Sequence, residues 1–318
     1  MKRFVMLFFT VILISFGCSC QAGQEYPSVS REDVLPDDIQ KQSPETDLYP
    51  PMLHTDEYET PVPLPSPVNT SGGEDSPFIL PDGSAMYFFF TPDVRIPAEL
   101  QLTDNVTGIW VTYNENGQWT KPQRVWLQDA GKLALDGAPF VQDDEMWFVS
   151  AREGYEGMHI FTAQYIDGTW QDWDYADERI NGDLMVGEFH IYEDELYYHS
   201  DLDGGLGSYD IWMTRKTQDG WSDAVNITAV NTEAMDGYPY ISPDGSEMYF
   251  TRVYEGSPAI FRSYRVNGQW QAPELLISQF AGEPTLDAEG NLYFVHHYYK
   301  DGEMIEADIY VAYKKNTQ

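Results

Sequence analysis

The stretch Ser242-Pro243-Asp244-Gly245-Ser246-Glu247-Met248-Tyr249-Phe250-Thr251 decides the fold, because the chain repeats variants of it. Its Pro-Asp-Gly turn joins two short apolar segments, and proline and glycine in these places favour a tight hairpin. A third apolar segment, Ala259-Ile260-Phe261, and the phrase Asn267-Gly268-Gln269-Trp270 follow it. Five such copies recur at intervals of about forty to sixty residues, a period typical of stacked or ring-closed modules.

The second segment of each copy has apolar residues at successive positions, which point to opposite faces of a strand, so both faces of that strand are expected to be buried. Sheets packed face to face require this, whereas a strand with one solvent-exposed face alternates apolar and polar residues. These segments are Met86-Tyr87-Phe88, Met146-Trp147-Phe148, Leu196-Tyr197-Tyr198, Met248-Tyr249-Phe250 and Leu292-Tyr293-Phe294. The pattern predicts the blades of a β-propeller.

The fifth copy ends at Tyr313-Lys314-Lys315 without a fourth strand. Residues 58–64, before the first copy, have the spacing of that missing strand: an aromatic residue, two residues, a proline, two residues and an apolar residue. We therefore predict an all-β, five-bladed β-propeller in which residues 58–64 complete the last blade and remove its open edge. The predicted blades lie near 74–128, 136–178, 186–228, 236–278 and 281–315, within a domain that spans 57–318.

The N-terminal residues have the pattern of an export signal. Met1-Lys2-Arg3 precedes an apolar run that is too short to span a bilayer comfortably. Ser15-Phe16-Gly17-Cys18 resembles a bacterial lipobox, which implies a signal over 1–18, acylation of Cys18 and attachment to the envelope on the outer-membrane or periplasmic side. Cys20 and plain secretion are the alternatives. Residues 19–56 are rich in Pro, Gln, Ser, Asp and Glu, and we expect a disordered tether there.

Composition excludes several classes of protein. The two cysteines, Cys18 and Cys20, both lie at the end of the predicted signal, so the chain beyond them has no disulfide, no thiol nucleophile and no cysteine-ligated metal. The net charge of −34, from 52 acidic and 18 basic residues, is opposite to that of a nucleic-acid-binding protein. We expect a monomer that contacts the membrane through its lipid anchor alone.

The repeated phrase Ser-Pro-Asp-Gly-x-x-Met-Tyr-Phe, together with residues 204–212, resembles the WD40-like propeller repeats of the TolB type. The resemblance covers residues 58–315, although the second and third copies lack Pro-Asp-Gly. It implies a bacterial envelope lipoprotein that binds a partner.

Carboxylates occur near the start of the first strand in every copy, where the inner strands of a propeller line a central channel. They are Glu74, Asp75, Asp136, Glu188, Asp236 and Glu283. Carboxylates at strand starts also form turn hydrogen bonds, so a structural role is the alternative. We predict that they bind a ligand, with Ca²⁺ as one candidate because hard cations prefer oxygen ligands. Asp201, Asp203 and Asp210, in a glycine-rich loop, form a second candidate calcium site, and an ordinary hairpin is the alternative there.

A second interpretation is hydrolysis. The order Asp75, Asp136, Glu188 across the first three blades is similar to that of the five-bladed arabinanase and xylosidase glycoside hydrolases. That similarity implies a base, a tuning residue and an acid in that order, and inversion needs two carboxyl groups about 6.5–9.5 Å apart. We favour a binding module for a protein, peptide or glycan, with the hydrolase as the alternative.

Overall fold

The computed structural model describes residues 25–176 and 188–315, and within these ranges it is a β-protein with one short helix. Two short strands precede the repeats, β1 (Met52–Leu53) and β2 (Val62–Pro63). The helix α1 (Ala98–Gln101) lies in the first repeat. In these ranges no helix has the length and apolar character that crossing a bilayer requires.

The other described strands form four sheets, in one of which a parallel contact of β24 with β3 joins the first and last repeats. The strands within each repeat are antiparallel, and contacts between the repeats run around a ring, so each repeat is called a blade. Blade 1 contains β3 (Gly73–Ile79), β4 (Ala85–Thr91), β5 (Gly108–Glu115), β6 (Gln118–Trp119) and β7 (Gln123–Arg124). Blade 2 contains β8 (Ala134–Gln142), β9 (Glu145–Arg152), β10 (His159–Ile166) and β11 (Thr169–Tyr175). Blade 3 contains β12 (Phe189–Tyr192), β13 (Glu195–Ser200), β14 (Asp210–Thr217), β15 (Gly220–Trp221) and β16 (Val225–Asn226). Blade 4 contains β17 (Asp236–Ile241), β18 (Glu247–Tyr254), β19 (Ser257–Val266), β20 (Gln269–Trp270) and β21 (Glu274–Ser278). Blade 5 contains β22 (Ala281–Leu286), β23 (Leu292–Lys300) and β24 (Glu303–Ala312).

The second strand of each blade is buried on both faces. In β4, for example, Met86 and Phe88 have no exposed surface, and Tyr87 between them is only 4% exposed. Side chains from both faces enter the cores between neighbouring blades. The predicted propeller packing is confirmed.

The ring closes as the sequence predicts. Strand β2 pairs antiparallel with β24, Val62 opposite Val311, and Tyr58 forms a bridge with Lys314. Tyr58 is fully buried in the core between blades 4 and 5. The N-terminal segment therefore supplies the outer strand of blade 5.

A repeated Val-Asn-Thr motif links consecutive blades. The Asn69 side-chain amide donates to the Ile309 carbonyl and its oxygen accepts from the Ile309 amide, which fastens blade 1 to blade 5. Asn231 makes the same pair of bonds to Ile211, which fastens blade 4 to blade 3. Each buried amide thus satisfies backbone groups at a blade junction.

Residues 25–56, called here the strap, differ from the predicted disordered tether. Arg31 is 1% exposed and contacts Glu74, and β1 adds an edge strand to β21 in blade 4. Lys41 contacts Glu306 and Asp308 of blade 5. A few buried ion pairs order a segment whose average composition is too polar to form a core. The predicted signal, including Cys18 and Cys20, lies outside the described residues.

Candidate functional site

One residue per blade faces the central channel, directly before the column formed by Pro77, Pro139, Phe189, Pro239 and Pro284. This channel ring consists of Ser76, Ala138, Glu188, Tyr238 and Glu283, which all line one cavity. Four of its members, all except Glu188, have φ between 47° and 55°, and the pairing register shifts at each of these four places. A bulge with a left-handed residue is costly for side chains other than glycine, and such residues cluster at functional sites.

Three carboxyl groups converge at the ring. The Ser76 amide donates to Asp75 Oδ1 at 3.0 Å and to Glu283 Oε2 at 2.8 Å. Its hydroxyl donates to Glu188 Oε1 at 2.5 Å. One serine thus contacts acids from three blades, and His297 Nε2 lies 3.7 Å from Asp75 Oδ1 on the fourth side.

The three acids differ in protonation. Loss of hydration in the channel raises the pKa of Glu188 to about 8, against the bond from Ser76, and the charge of Asp75 raises it further. Burial and the charges of Asp75 and Glu188 also raise the pKa of Glu283 well above its usual value. Burial acts in the same direction on Asp75, but contact with His297 outweighs it and lowers its pKa to about 2. Within one cluster, the pKa of Asp75 is thus lowered while those of Glu188 and Glu283 are raised.

The cavity at the ring is small and has an aromatic floor. Its volume is about 30 Å³, room for a group the size of one or two water molecules. The His190 ring lies 4.9 Å from that of Phe140 and 4.6 Å from that of Tyr240, measured between centroids. Burial lowers the pKa of His190 to about 3, so this ring is neutral. Beyond the floor, the other end of the channel opens into a cavity of about 530 Å³.

The other three predicted ligand-binding carboxylates lie in the blade interiors. Glu74, Asp136 and Asp236 are fully buried, three residues before the column rather than at the ring. Each forms an ion pair with an arginine, at 2.8 Å for Glu74–Arg31, 2.8 Å for Asp136–Arg152 and 2.5 Å for Asp236–Arg252. The predicted catalytic trio is therefore not assembled, because Arg152 holds Asp136, and Glu283 joins Asp75 and Glu188 in its place.

The predicted calcium loop is an ordinary hairpin loop. The buried Asp210 carboxylate accepts hydrogen bonds from the Leu206 and Gly207 amides and from Asn226 Nδ2. Asp201 and Asp203 are exposed. Throughout residues 25–176 and 188–315, no three His, Cys, Asp or Glu side chains are arranged to hold a metal ion.

Sequence reasoning missed Ser76, Tyr238 and His297. Burial raises the pKa of the Tyr238 hydroxyl, and the charges of Glu283, Glu188 and Asp75 raise it further, so this hydroxyl belongs to the acidic cluster. The distinguishing feature is the number of residues before the proline column. The residue directly before the column lies at the channel, and the residue three before it lies inside the blade. Acidic residues occur at both positions, so residue type alone does not distinguish a channel acid from a blade acid.

Comparisons with known proteins agree with this fold. The endo-arabinase from Bacteroides thetaiotaomicron VPI-5482 is 17% identical, with 79% of this chain and 98% of that chain covered and a TM-score of 0.50. TolB from Acinetobacter baumannii is 11% identical, with coverage of 77% and 55% and a TM-score of 0.42. No protein-family model and no curated protein matches the chain. At 17% identity the similarity to the endo-arabinase shows a shared fold alone.

The raised pKa of Glu188 predicts a pH-dependent stability. A carboxyl that is more basic in the folded state stabilises the fold fully below pH about 4.5, and this contribution is lost as pH rises through about 8. We expect Glu188→Gln to flatten the fall in the free energy of unfolding between pH 5 and 9, by roughly 2 to 4 kcal/mol. Urea unfolding at several pH values measures this. The exposed Glu193→Gln is the control, and parallel profiles for wild type and Glu188→Gln would contradict the assignment.

Proposed function

We propose that this propeller is a binding module that takes an ammonium group of a peptide or protein partner at the acidic end of its channel. The observation that supports this is the convergence of Asp75, Glu188 and Glu283 on Ser76. An ammonium group donates three hydrogen bonds, and its positive charge is complementary to the carboxylates. Its size also suits a cavity of about 30 Å³.

Binding of an ammonium group releases protons. Burial raises the pKa of Glu188 to about 8 and raises that of Glu283, and a bound cation would lower both pKa values. Affinity therefore increases as pH rises from 6 to 9, until the amine itself loses its proton. This pH dependence distinguishes the cluster from a set of surface acids.

The test is a thermal melt at pH 8 with trilysine, with fully acetylated trilysine, with Ca²⁺ and with arabino- and xylo-oligosaccharides. A ligand that binds only the folded state raises Tm, by about 5 °C at a hundredfold excess over Kd. We expect this shift with trilysine and not with its acetylated form. Glu283→Gln should abolish it, and the exposed Glu289→Gln should retain it. Equal shifts with both peptides, or no shift with either, would contradict the proposal.

Hydrolysis remains the second candidate because Asp75 and Glu188 both contact Ser76 and their pKa values are shifted in opposite directions. An ionised carboxylate beside a protonated carboxyl is the arrangement of a glycosidase base and acid. Glu283 would then be the tuning residue in place of Asp136. Turnover of an oligosaccharide in the same panel, lost in Glu188→Gln, would favour this candidate over the binding module.

We also propose that the module acts in the cell envelope or outside the cell. A chain exported by residues 1–18 and acylated at Cys18, or exported without an anchor, would present the acidic channel mouth in the envelope or outside the cell. A net charge of −34 favours cationic partners and disfavours nucleic acid. We propose that it acts as a monomer, with Ca²⁺ as the alternative occupant of the mouth.

A further inference from the structure

An ion pair recurs inside the blades at the acid three residues before the proline column. In blades 2 and 4 both partners belong to the same blade, Asp136 with Arg152 and Asp236 with Arg252. Each guanidinium lies over two equivalent blade aromatics, and that of Arg152 also lies 4.8 Å from the Trp173 ring. The centroid distances are 5.2 Å to Phe148 and 4.1 Å to Phe161 for Arg152, and 5.3 Å to Phe250 and 4.6 Å to Phe261 for Arg252. The two arginines come from different positions, six residues after Met146 and four residues after Met248, but they fill equivalent aromatic-walled sites.

Blade 1 has the acid but lacks the arginine. Phe90 stands four residues after Met86, where Arg252 stands four residues after Met248. The strap supplies the missing group, because Arg31 Nη1 lies 2.8 Å from Glu74 Oε1 and 2.9 Å from the Val68 carbonyl. Its guanidinium lies 5.3 Å from the ring of Phe88 and 5.6 Å from that of Trp110, the counterparts of Phe250 and Phe261.

Blade 5 has a histidine at the position of Arg252 but lacks the acid. Ala281 occupies the acid position, and His296 stands where Arg252 stands in blade 4. The strap again supplies the partner, since Asp47 Oδ2 lies 2.8 Å from His296 Nε2. Lys41 adds a third contact, at 2.5 Å from both Glu306 and Asp308, which are buried in the same blade.

We infer that the strap completes the buried polar pairs of the two blades at the ring closure, an ion pair in blade 1 and a hydrogen-bonded pair in blade 5, and that blade 1 contains a guanidinium-binding site which the chain fills with its own Arg31. The repeats on either side of the closure have each lost one half of the pair, and one segment replaces both halves. Without Arg31, Glu74 would be a buried acid with no cation, which costs far more than an exposed one. The strap is therefore part of the folded ring, whatever ligand binds at the channel mouth.

Arg31→Ala in the full chain tests this inference. We expect Tm to fall by about 6 to 10 °C, as for the loss of one partner of a buried pair. Methylguanidinium at tens of millimolar should restore part of the loss, and methylammonium should restore less, because the vacated site is planar and walled by aromatic rings. Arg31→Ala combined with Glu74→Gln should not respond to methylguanidinium. Lys132→Ala, which removes an exposed lysine paired with the exposed Glu153, is the control and should leave Tm within about 1 °C.

A compensating variant provides a second, independent readout. Phe90→Arg places an arginine at the position of Arg252, so the double variant Arg31→Ala with Phe90→Arg should be more stable than Arg31→Ala alone. Guanidinium rescue or this compensation would support the site. An unchanged Tm for Arg31→Ala, or a fall in Tm that neither treatment reverses, would overturn it. The readout is stability, so failure here is separate from failure of the ammonium-binding proposal.

Discussion

Replacing residues 57–64 with a Gly-Ser chain of equal length is expected to abolish the single cooperative unfolding transition. The replacement removes Tyr58 and Leu64, which are 0% and 5% exposed, and the side chain of Glu57, which contacts Arg262 at 2.5 Å. Loss of a buried aromatic and a buried leucine together costs about 5 to 10 kcal/mol. That approaches the whole stability of a typical domain. Urea unfolding followed by tryptophan fluorescence and by circular dichroism is the measurement, with coincidence of the two curves as the criterion.

The control is the same type of replacement at 97–100, where all four residues are exposed. This change keeps the blade strands and should leave one transition with nearly the wild-type midpoint. A cooperative transition that persists after replacement of 57–64 would show that the ring holds without the side chains of its closing strand.

The blades and the closing strand were predictable because equivalent buried positions carry similar apolar residues in each repeat. Met86 and Met248 occupy equivalent buried places, and the segment around Tyr58 has the spacing of the strand that blade 5 lacks. Both features depend on local pattern and apolar area, which are visible in one sequence.

The strap and the membership of the acidic cluster were not predictable in the same way. Mean composition predicts disorder for residues 25–56, but three charged side chains, Arg31, Lys41 and Asp47, find buried partners far along the chain. Likewise, an offset of two residues decides whether an acid enters the channel, as Glu283 does, or the blade, as Asp136 does. The bulge that determines this is a feature of backbone geometry, and its positive-φ position is filled by Ser, Ala, Tyr and Glu in different blades.

Asp136→Ala is expected to lower the free energy of unfolding by about 3 to 5 kcal/mol, because it leaves the Arg152 guanidinium buried without its carboxylate. Arg152 is 6% exposed and also donates to the Ser150 hydroxyl and the Leu127 carbonyl, so it cannot move to water without breaking blade contacts. Asp144→Ala, an exposed aspartate of the same blade, should change stability by at most about 0.5 kcal/mol. Equilibrium urea unfolding measures both values.

The same residue separates a structural role from a catalytic one. If Asp136 only pairs with Arg152, then replacing both, by Asp136→Leu with Arg152→Met, should recover much of the lost stability, since apolar side chains often replace a buried pair without loss. Asp136→Asn should likewise retain the trilysine shift that Glu283→Gln abolishes. The opposite result, near-normal stability of Asp136→Asn together with loss of ligand response or turnover, would return Asp136 to the site and restore the trio of Asp75, Asp136 and Glu188. The position of Asp136 three residues before the proline column, buried beside Arg152, is the reason to expect the first result.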